Sequence, residues 1–270
     1  MKRLFSLAVA LAITMLLMLT AAGSSSRRTV TVVLNGETIS FDTPAYIENN
    51  RTMVPIRAIA EALGLEVTWD QASATAWLSD ESWTPSLKGR TIVVDPGHGG
   101  SADGASYGGV KESDLNLSIA QHLAEELRRY GANVVMTRTG DQDVSLSGRA
   151  AIANRVKADL FLSVHCNASL TNASASGIYT AYHSGSAKSR QAAVLLKDAM
   201  ISAASQPDMG AHQRDDLAVL RLTNMPAVLL ECGFMSTPAE LELLQQPEHQ
   251  KKLSQGAAWG TALFLNAPTL

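Results

Sequence analysis

The sequence predicts an α/β fold, a mixed twisted sheet flanked by helices, preceded by a small α+β domain. Three observations carry that expectation. Beyond Thr91, short apolar runs alternate with longer helical patterns, the arrangement that builds a sheet covered by helices. Before Ser79, apolar residues alternate over a few positions at a time around an Asn-Gly turn signal. Between the two, residues 80–90 contain Pro85 and Gly89 and few apolar residues, which reads as a linker.

The chain opens with a targeting pattern. Lys2-Arg3 is a short basic start, and Leu4 to Thr20 is apolar apart from Ser6 and Thr14. Thr20-Ala21-Ala22 and Ala21-Ala22-Gly23 offer small residues for cleavage. Residues 1–23 are therefore expected to be a signal peptide, with the body of the protein outside the cytoplasm. An uncleaved anchor is the alternative, for a run near the lower limit for spanning a bilayer. No cysteine follows the run, so a lipoprotein anchor is not expected.

Residues 29–79 form the small α+β unit. Val30, Val32 and Leu34 alternate, Asn35-Gly36 signals a type I′ turn, and Ile39 and Phe41 alternate on its far side. Ile56 to Leu63 reads as a short helix stopped by Gly64. Val67–Trp69 and Thr75–Leu78 read as further strands. In residues 91–265 the expected strands are Ile92–Val94, Val134–Thr137, Leu160–Val164, Ile178–Tyr182 and Ala227–Leu230. The clearest helix runs from Asp114 to Tyr130, where Leu115, Ile119, Leu123 and Leu127 make one stripe and Gly131 ends it. Thr237-Pro238-Ala239-Glu240 reads as a capping box with proline at the first helical position. Leu241 to Leu265 then reads as one or two helices, broken near Pro247.

At 270 residues the chain has room for one large domain plus a small one, and 46% hydrophobic residues suffice for a sizeable core. The net charge of -3 and the lack of a basic patch argue against a nucleic-acid partner. Two cysteines are too few for a disulfide framework. Nothing in the pattern specifies an oligomeric state.

Three strings place chemistry-bearing side chains at strand ends: Asp95-Pro96-Gly97-His98-Gly99-Gly100, Ser163-Val164-His165-Cys166-Asn167 and Leu229-Leu230-Glu231-Cys232-Gly233-Phe234. A fourth, Lys111-Glu112-Ser113, sits just before a helix expected to begin near Ser113. Two histidines and one carboxylate make a three-ligand zinc site with a coordination position left open. A second carboxylate beside it could move protons for a bound water. That set of parts points to hydrolysis.

Taken singly, the residues carry different weight. His98 among glycines reads better as an exposed turn histidine, and Glu112 better as a complement to the helix dipole. His165 and Glu231 argue more strongly, because each ends a buried apolar run where an unpaired polar group is costly. A salt bridge at the sheet end is the structural alternative for Glu231. His122 falls at the margin of its helix stripe, His183 and His212 read as loop residues able to line a cleft, and His249 reads as surface. The chain has no His-Glu-x-x-His helix, and Gly97 to Gly100 lacks the Lys-Ser/Thr of a phosphate loop. Strand alternation turns Cys166 and Cys232 away from His165 and Glu231. The two are expected close together behind the site, as buried thiols rather than a disulfide.

Residues 91–265 resemble the catalytic domain of the zinc-dependent N-acetylmuramoyl-L-alanine amidases, bacterial cell-wall hydrolases of the third amidase type. The resemblance rests on Val94-Asp95-Pro96-Gly97-His98-Gly99-Gly100, Gly109-Val110-Lys111-Glu112-Ser113-Asp114-Leu115-Asn116-Leu117 and Thr137-Arg138-Thr139-Gly140-Asp141. It continues through Ser147-Gly148-Arg149-Ala150-Ala151-Ile152-Ala153-Asn154, Ser163-Val164-His165-Cys166-Asn167-Ala168-Ser169 and Leu230-Glu231-Cys232-Gly233-Phe234. It implies His98, Glu112 and His165 as ligands of Zn2+ and Glu231 as the catalytic glutamate. The implied substrate is peptidoglycan, cut at the amide between N-acetylmuramic acid and L-alanine of the stem peptide. Cysteine after both His165 and Glu231 departs from the commoner residues there.

Residues 29–79 resemble the small domain named after the amino terminus of copper amine oxidases. The match lies in Arg51-Thr52-Met53-Val54-Pro55-Ile56-Arg57-Ala58-Ile59-Ala60-Glu61-Ala62-Leu63-Gly64, followed by Val67-Thr68-Trp69-Asp70. It implies a fold and an accessory role, such as contact with the cell wall or a protein partner. It does not imply copper, because the segment holds no histidine.

On the amidase resemblance, zinc would polarise the scissile carbonyl and acidify its water towards ~7, and Glu231 would move the proton. Asp95 and Asn167 are candidates for orienting a ligand or hydrogen-bonding substrate, although Asp95 reads equally as a turn residue before proline. Two other readings stay open: a different zinc peptidase acting on the stem peptide, and an inactive wall-binding protein. The presence of all four site residues argues against the second.

Overall fold

The structure, a computed structural model, describes residues 28–70, 75–80, 85–172 and 174–267. The expected signal peptide, residues 1–23, lies outside the described residues, as does part of the expected linker, residues 81–84. Contacts divide the chain into two units. One reaches Val67 and takes in Leu78–Asp80; the other comprises Thr68–Trp77 and the chain from Glu81.

The first unit is built from hairpins and one helix. Strands β1 (Val33–Leu34) and β2 (Glu37–Thr38) pair antiparallel, with Leu34 opposite Glu37. Asn35 and Gly36 join them with φ of 52° and 92°, the left-handed pair that a type I′ turn needs. Strands β3 (Tyr46–Glu48) and β4 (Arg51–Met53) repeat the device around Asn49-Asn50, at φ of 49° and 59°. Helix α1 (Ile56–Ala62) follows; β5 (Glu66–Asp70) then pairs with β6 (Thr75–Ser79), and of these two strands Thr68–Trp77 is counted with the second unit.

From Thr91 the larger unit runs through β7 (Thr91–Pro96), a short hairpin of β8 (Ser106–Tyr107) and β9 (Val110–Lys111), helix α2 (Glu112–Arg129) and β10 (Asn133–Met136). It continues through α3 (Leu146–Arg155), β11 (Leu160–Asn167), β12 (Ile178–Tyr182), α4 (Ala187–Ala204) and β13 (Asp208–Gln213). It closes with α5 (Ala218–Arg221), β14 (Ala227–Phe234), α6 (Pro238–Leu244) and α7 (Pro247–Asn266). Six strands form one mixed sheet in the order β10-β7-β11-β14-β12-β13. The first four run parallel, β12 runs antiparallel to β14, and β13 is parallel to β12.

Alternation along the strands sorts the core into two layers. Ile92, Val94, Leu160, Leu162, Val228 and Leu230 pack with Leu115 and Ile119 of α2, Leu195 and Leu196 of α4 and Leu253 of α7. Val93, Phe161, Ala227 and Leu229 pack on the other side with Ala153 of α3 and Val219 and Leu220 of α5. Three long helices thus cover one face, while two shorter ones cover the lower part of the other.

The expected α/β class and all five expected strands are present, with several differences. β11 and β14 run on to Asn167 and Phe234, so His165 and Glu231 lie inside paired strands rather than ending them. Helix α2 starts at Glu112 itself. Helix α4 carries alanine and serine on both its buried and exposed sides, which leaves little apolar contrast to read. Edge strand β13, Asp208–Gln213, is polar and contains Gly210, so its sequence does not look like a strand; His212 lies in it rather than in a loop. His249 is only 8% exposed, at the start of α7, rather than on the surface.

The expected capping box does not form. Thr237 gives its hydroxyl to the Ala175 carbonyl, at 2.5 Å. Glu240 turns inward instead and accepts from the Gly177 and Phe234 amides, both at 2.7 Å. Those two amides, one just before β12 and one at the end of β14, are buried and need an acceptor, a stronger demand than the solvated first turn of a helix makes.

Gly256 and Gly260, one turn apart on α7, let that helix lie directly on α4. A Cβ on Gly260 would sit 2.6 Å from the Leu196 Cα, and one on Gly256 would sit 2.6 Å from the Ala199 carbonyl oxygen. Gly260→Ala gains about 1 kcal/mol of helix propensity but forces overpacking against rigid backbone, which costs ~1–3 kcal/mol. The substitution is expected to lower the urea midpoint of unfolding. A raised midpoint would mean that the two helices separate freely.

Candidate active site

Strand register assembles the site. On β7 and β11, Ser163 pairs with Asp95 and Val164 with Pro96, and the Gly97 amide donates to the Val164 carbonyl at 2.9 Å. His165 pairs with Glu231 across β11 and β14, and Glu231 pairs with Tyr179 across β14 and β12. Gly97, His165, Glu231 and Tyr179 therefore form one row across four strands. The row continues the sheet face that carries Val93, Phe161 and Leu229 below it. Gly97 has no room for a side chain, because a Cβ there would collide with the His165 ring.

His98 and Glu112 close over this row from outside the sheet. The Glu112 carboxylate lies between the two imidazoles, with Oε1 2.9 Å from His165 Nδ1 and Oε2 3.3 Å from His98 Nε2. One ligand atom from each of His98, Glu112 and His165 falls within 4.8 Å of the other two. The imidazoles stand edge to face, 5.0 Å between centroids. Glu112 also accepts from the Ala105 amide at 2.9 Å, and Asn116, one turn along α2, donates to it at 3.2 Å. Gly104, at φ 72°, makes the close approach possible, since a Cβ there would lie 2.6 Å from Glu112 Oε2.

His98 has φ of 60°, a left-handed conformation that costs a non-glycine residue ~1–2 kcal/mol. Two buried arginines hold it there. Arg149 of α3 donates to the Pro96 and His98 carbonyls at 2.6 and 2.7 Å and to Asp95 at 2.7 Å. Arg138 donates to the Pro96 carbonyl at 2.9 Å and to the Gly97 and Ser113 carbonyls, both at 2.8 Å. It thereby ties the His98 loop to the start of α2. Asp95, fully buried in β7, also accepts from Thr137 at 2.5 Å and Ser163 at 2.7 Å. Asp95 is thus the counter-charge of the scaffold under the loop rather than a turn residue. Asn167 Oδ1 accepts from the Ala168 amide at 2.7 Å.

The charges respond to this packing. Burial raises the Glu112 carboxyl, but its hydrogen bonds to His165 and His98 outweigh that and hold it well below the usual carboxylate range. Burial lowers the His165 imidazole, while Glu112 and Glu231 raise it by more. Burial pushes the Glu231 carboxyl up to about 7, opposed by His165 and reinforced by Glu112. One Glu231 oxygen, Oε1, is 3.4 Å from the Tyr179 hydroxyl; the other, Oε2, is buried without a hydrogen-bond partner.

The structure thus brings His98, Glu112, His165 and Glu231 to one place, and leaves His122, His183, His212 and His249 outside the ligand cluster. Cys166 and Cys232 are free and buried in the opposite core layer, on adjacent paired strands, and burial raises both thiols. Sequence reasoning assigned no role to Gly104, Arg138, Arg149 or Tyr179. The one available signal was an arginine, Arg149, in an alanine-rich helix that buries it.

His98, Glu112 and His165 form a cluster that could hold a metal ion on an α/β sheet, and comparison with known proteins gives the family. The chain belongs to the N-acetylmuramoyl-L-alanine amidases, hydrolases of peptidoglycan, whose family pattern matches residues 92–262. Residues 31–97 match the copper amine oxidase N-terminal domain. The probable cell wall amidase LytH of Staphylococcus aureus is 35% identical over 185 residues, covering 67% of this chain and 60% of LytH. An N-acetylmuramoyl-L-alanine amidase from Clostridium difficile 630 superposes with a TM-score of 0.65 at 34% identity, over 69% of this chain and all of that structure. The catalytic domain of the amidase CwlV from Bacillus (Paenibacillus) polymyxa var. colistinus gives a TM-score of 0.62 at 30% identity, over 66% of this chain and 98% of that one.

The Gly97 contact generates a direct check. Gly97→Ala should displace the His165 ring without touching either core layer. Divalent-metal affinity, read by competition with a chromophoric chelator, is expected to fall at least ~10-fold, the loss typical when a ligand's support is disturbed. Unchanged affinity with an intact far-UV spectrum would show that His165 is not held by this contact.

Proposed function

We propose that this chain is a zinc-dependent amidase that cleaves the bond between N-acetylmuramic acid and L-alanine of the peptidoglycan stem peptide. His98, Glu112 and His165 are the zinc ligands in this reading, and Glu231 is the proton carrier. The observation that carries it is the register pair His165–Glu231, which sets a buried, half-satisfied carboxylate one strand from a His-Glu-His cluster. Two imidazoles and one carboxylate fit zinc and leave a fourth position for substrate or water.

When bound, zinc would supply Lewis-acid polarisation of the scissile carbonyl and acidify the attacking water. Glu231 does the remaining work. Its carboxylate accepts a proton as the water oxygen bonds to the carbonyl carbon, and returns it to the amide nitrogen as the C–N bond breaks. A carboxyl pushed up to about 7 is suited to both steps at neutral pH. Arg138, Arg149 and Asp95 contribute by fixing the His98 loop.

Glu231→Gln is expected to keep one equivalent of zinc and lose ~10²–10⁴-fold in wall hydrolysis. Chelation should abolish the native activity, and zinc should restore it. The products should be free lactyl carboxyls and new L-alanine amines. New termini within the stem would instead identify a peptidase, and loss of zinc in Glu231→Gln would make Glu231 a ligand.

Residues 1–23 act as an export signal in this reading, and residues 29–79 as an accessory module that holds the enzyme at the wall or on a partner. The similarity to LytH, a probable cell wall amidase, supports extracytoplasmic action. In exported protein, whose mass reports removal of residues 1–23, deleting residues 29–85 should spare cleavage of soluble muropeptides and weaken binding to whole walls. Equally tight wall binding by the truncated protein would rule the anchoring role out.

A further inference from the structure

The Glu231 carboxylate is held unevenly. Its Oε1 takes the Tyr179 hydroxyl, 3.4 Å away, while its Oε2 is buried without a hydrogen-bond partner. Among the described residues no other side chain hydrogen-bonds this carboxylate. A glutamate side chain is long, and without a partner it samples several rotamers. The group that fixes this one therefore has to reach it from the neighbouring strand.

Tyr179 is placed to do so. It sits directly opposite Glu231 in the antiparallel β12–β14 register, so both side chains leave the same face of the sheet. Strand β12 is paired on both edges, by β14 and by β13, which fixes the tyrosine backbone. Its ring stands edge to face against His212 of β13, with 5.3 Å between centroids. His212 is pinned in turn by a 2.6 Å contact from its Nε2 to the Met209 carbonyl. The Tyr179 hydroxyl is thus the tip of a rigid ring braced by a second ring.

The two carboxylate oxygens cannot do the same work. At 3.4 Å the contact to Oε1 is long for a hydroxyl on a carboxylate. Hydrogen bonds of catalytic groups are often long before substrate binds and shorten in the productive complex. Oε2 has no such partner, and a buried oxygen in that state is costly and calls for a functional explanation. Proton transfer supplies one, because the oxygen that carries the proton must be open first to the attacking water and then to the leaving amine.

We propose that Tyr179 is a positioning residue for the hydrolytic step: its hydroxyl holds Oε1 of Glu231 and so leaves Oε2 as the atom that takes and returns the proton. The proposal rests on the amidase reading, in which Glu231 is the proton carrier. Tyr179 acts through Glu231 and touches neither the metal ligands nor the substrate.

The test uses the full-length, zinc-loaded enzyme and a soluble muropeptide. Tyr179→Phe removes the hydroxyl and keeps the ring against His212. Its kcat is expected to fall ~10-fold, the range of one lost hydrogen bond to a charged group, with KM nearly unchanged. In a Glu231→Gln background the same substitution should cost nothing further in kcat, because two residues that act as one unit are not additive. Binding of the intact muropeptide to Glu231→Gln, measured by calorimetry, should be the same with and without Tyr179→Phe. An unchanged kcat in Tyr179→Phe overturns the proposal. A raised KM or weakened muropeptide binding also overturns it, because Tyr179 would then contact substrate. An equal fold-loss in the Glu231→Gln background overturns it too, because Tyr179 would then act independently of Glu231. Thermal melts and competition with a chromophoric chelator check that the fold and the metal site are intact. If Tyr179→Phe melts early, His212→Ala decides: losing the brace should lower kcat by ~2–3-fold at unchanged KM, and no loss overturns the proposal. Failure of the amidase reading looks different: Glu231→Gln as active as the native enzyme, or native enzyme releasing no L-alanine amine.

Discussion

The parallel register that sets β11 between β7 and β14 is the constraint on which the rest of the site depends. It puts His165 beside Gly97 on one flank and Glu231 on the other. A slip of one residue would turn His165 into the helix-covered layer and bring Cys166 out in its place. The apolar residues below prevent that slip, because Phe161 and Leu162 are both fully buried on opposite faces. Chemistry at the top of the sheet is thus indexed by hydrophobic burial further down.

The second requirement is a loop held in an unfavourable conformation. His98 stays left-handed because Arg149 and Arg138 occupy the carbonyls around it, and Asp95 balances them from inside the sheet. Burying such charges is expensive, and a buried ion pair is seldom a net gain in stability. Removing one member is another matter, costing ~3–5 kcal/mol because the remaining charge is left uncompensated. The cluster is better understood as a positioning device: guanidinium forks that span several carbonyls fix a loop more tightly than any apolar contact could.

The change of strand direction at β14 and β12 gives the site its second half. β14 is the last of four parallel strands, and its antiparallel partner β12 brings Tyr179 to the same level as Glu231. Crevices at such switch points are where ligands bind in α/β sheets. Here the switch separates the two sides by chemistry. The His-Glu-His cluster stands over the parallel strands, and Tyr179 over the reversed ones.

The amino-acid sequence by itself indicated five of the six strands of the larger sheet, the long helix that follows Lys111, the Asn35-Gly36 hairpin and, through the amidase resemblance, the four candidate residues His98, Glu112, His165 and Glu231. Those features are local: apolar periodicity, turn chemistry, and polar residues abutting buried runs, each legible within about ten positions. The tertiary structure alone decided how the four are held. Glu240 looked like a capping residue because its neighbours in sequence suggest it, but buried amides at Gly177 and Phe234 compete for it and win. Asp95 read equally as an orienting residue and as a turn residue, and Arg149, 54 positions away in sequence, lies on its carboxylate and makes it part of the scaffold under the His98 loop. His249, on a polar stretch, is buried by packing that no window of sequence contains. Strand β13, polar in sequence, likewise follows from an edge pairing with β12. Hydrogen-bond demand and strand register act between residues far apart in the chain, and only the folded protein brings those residues together.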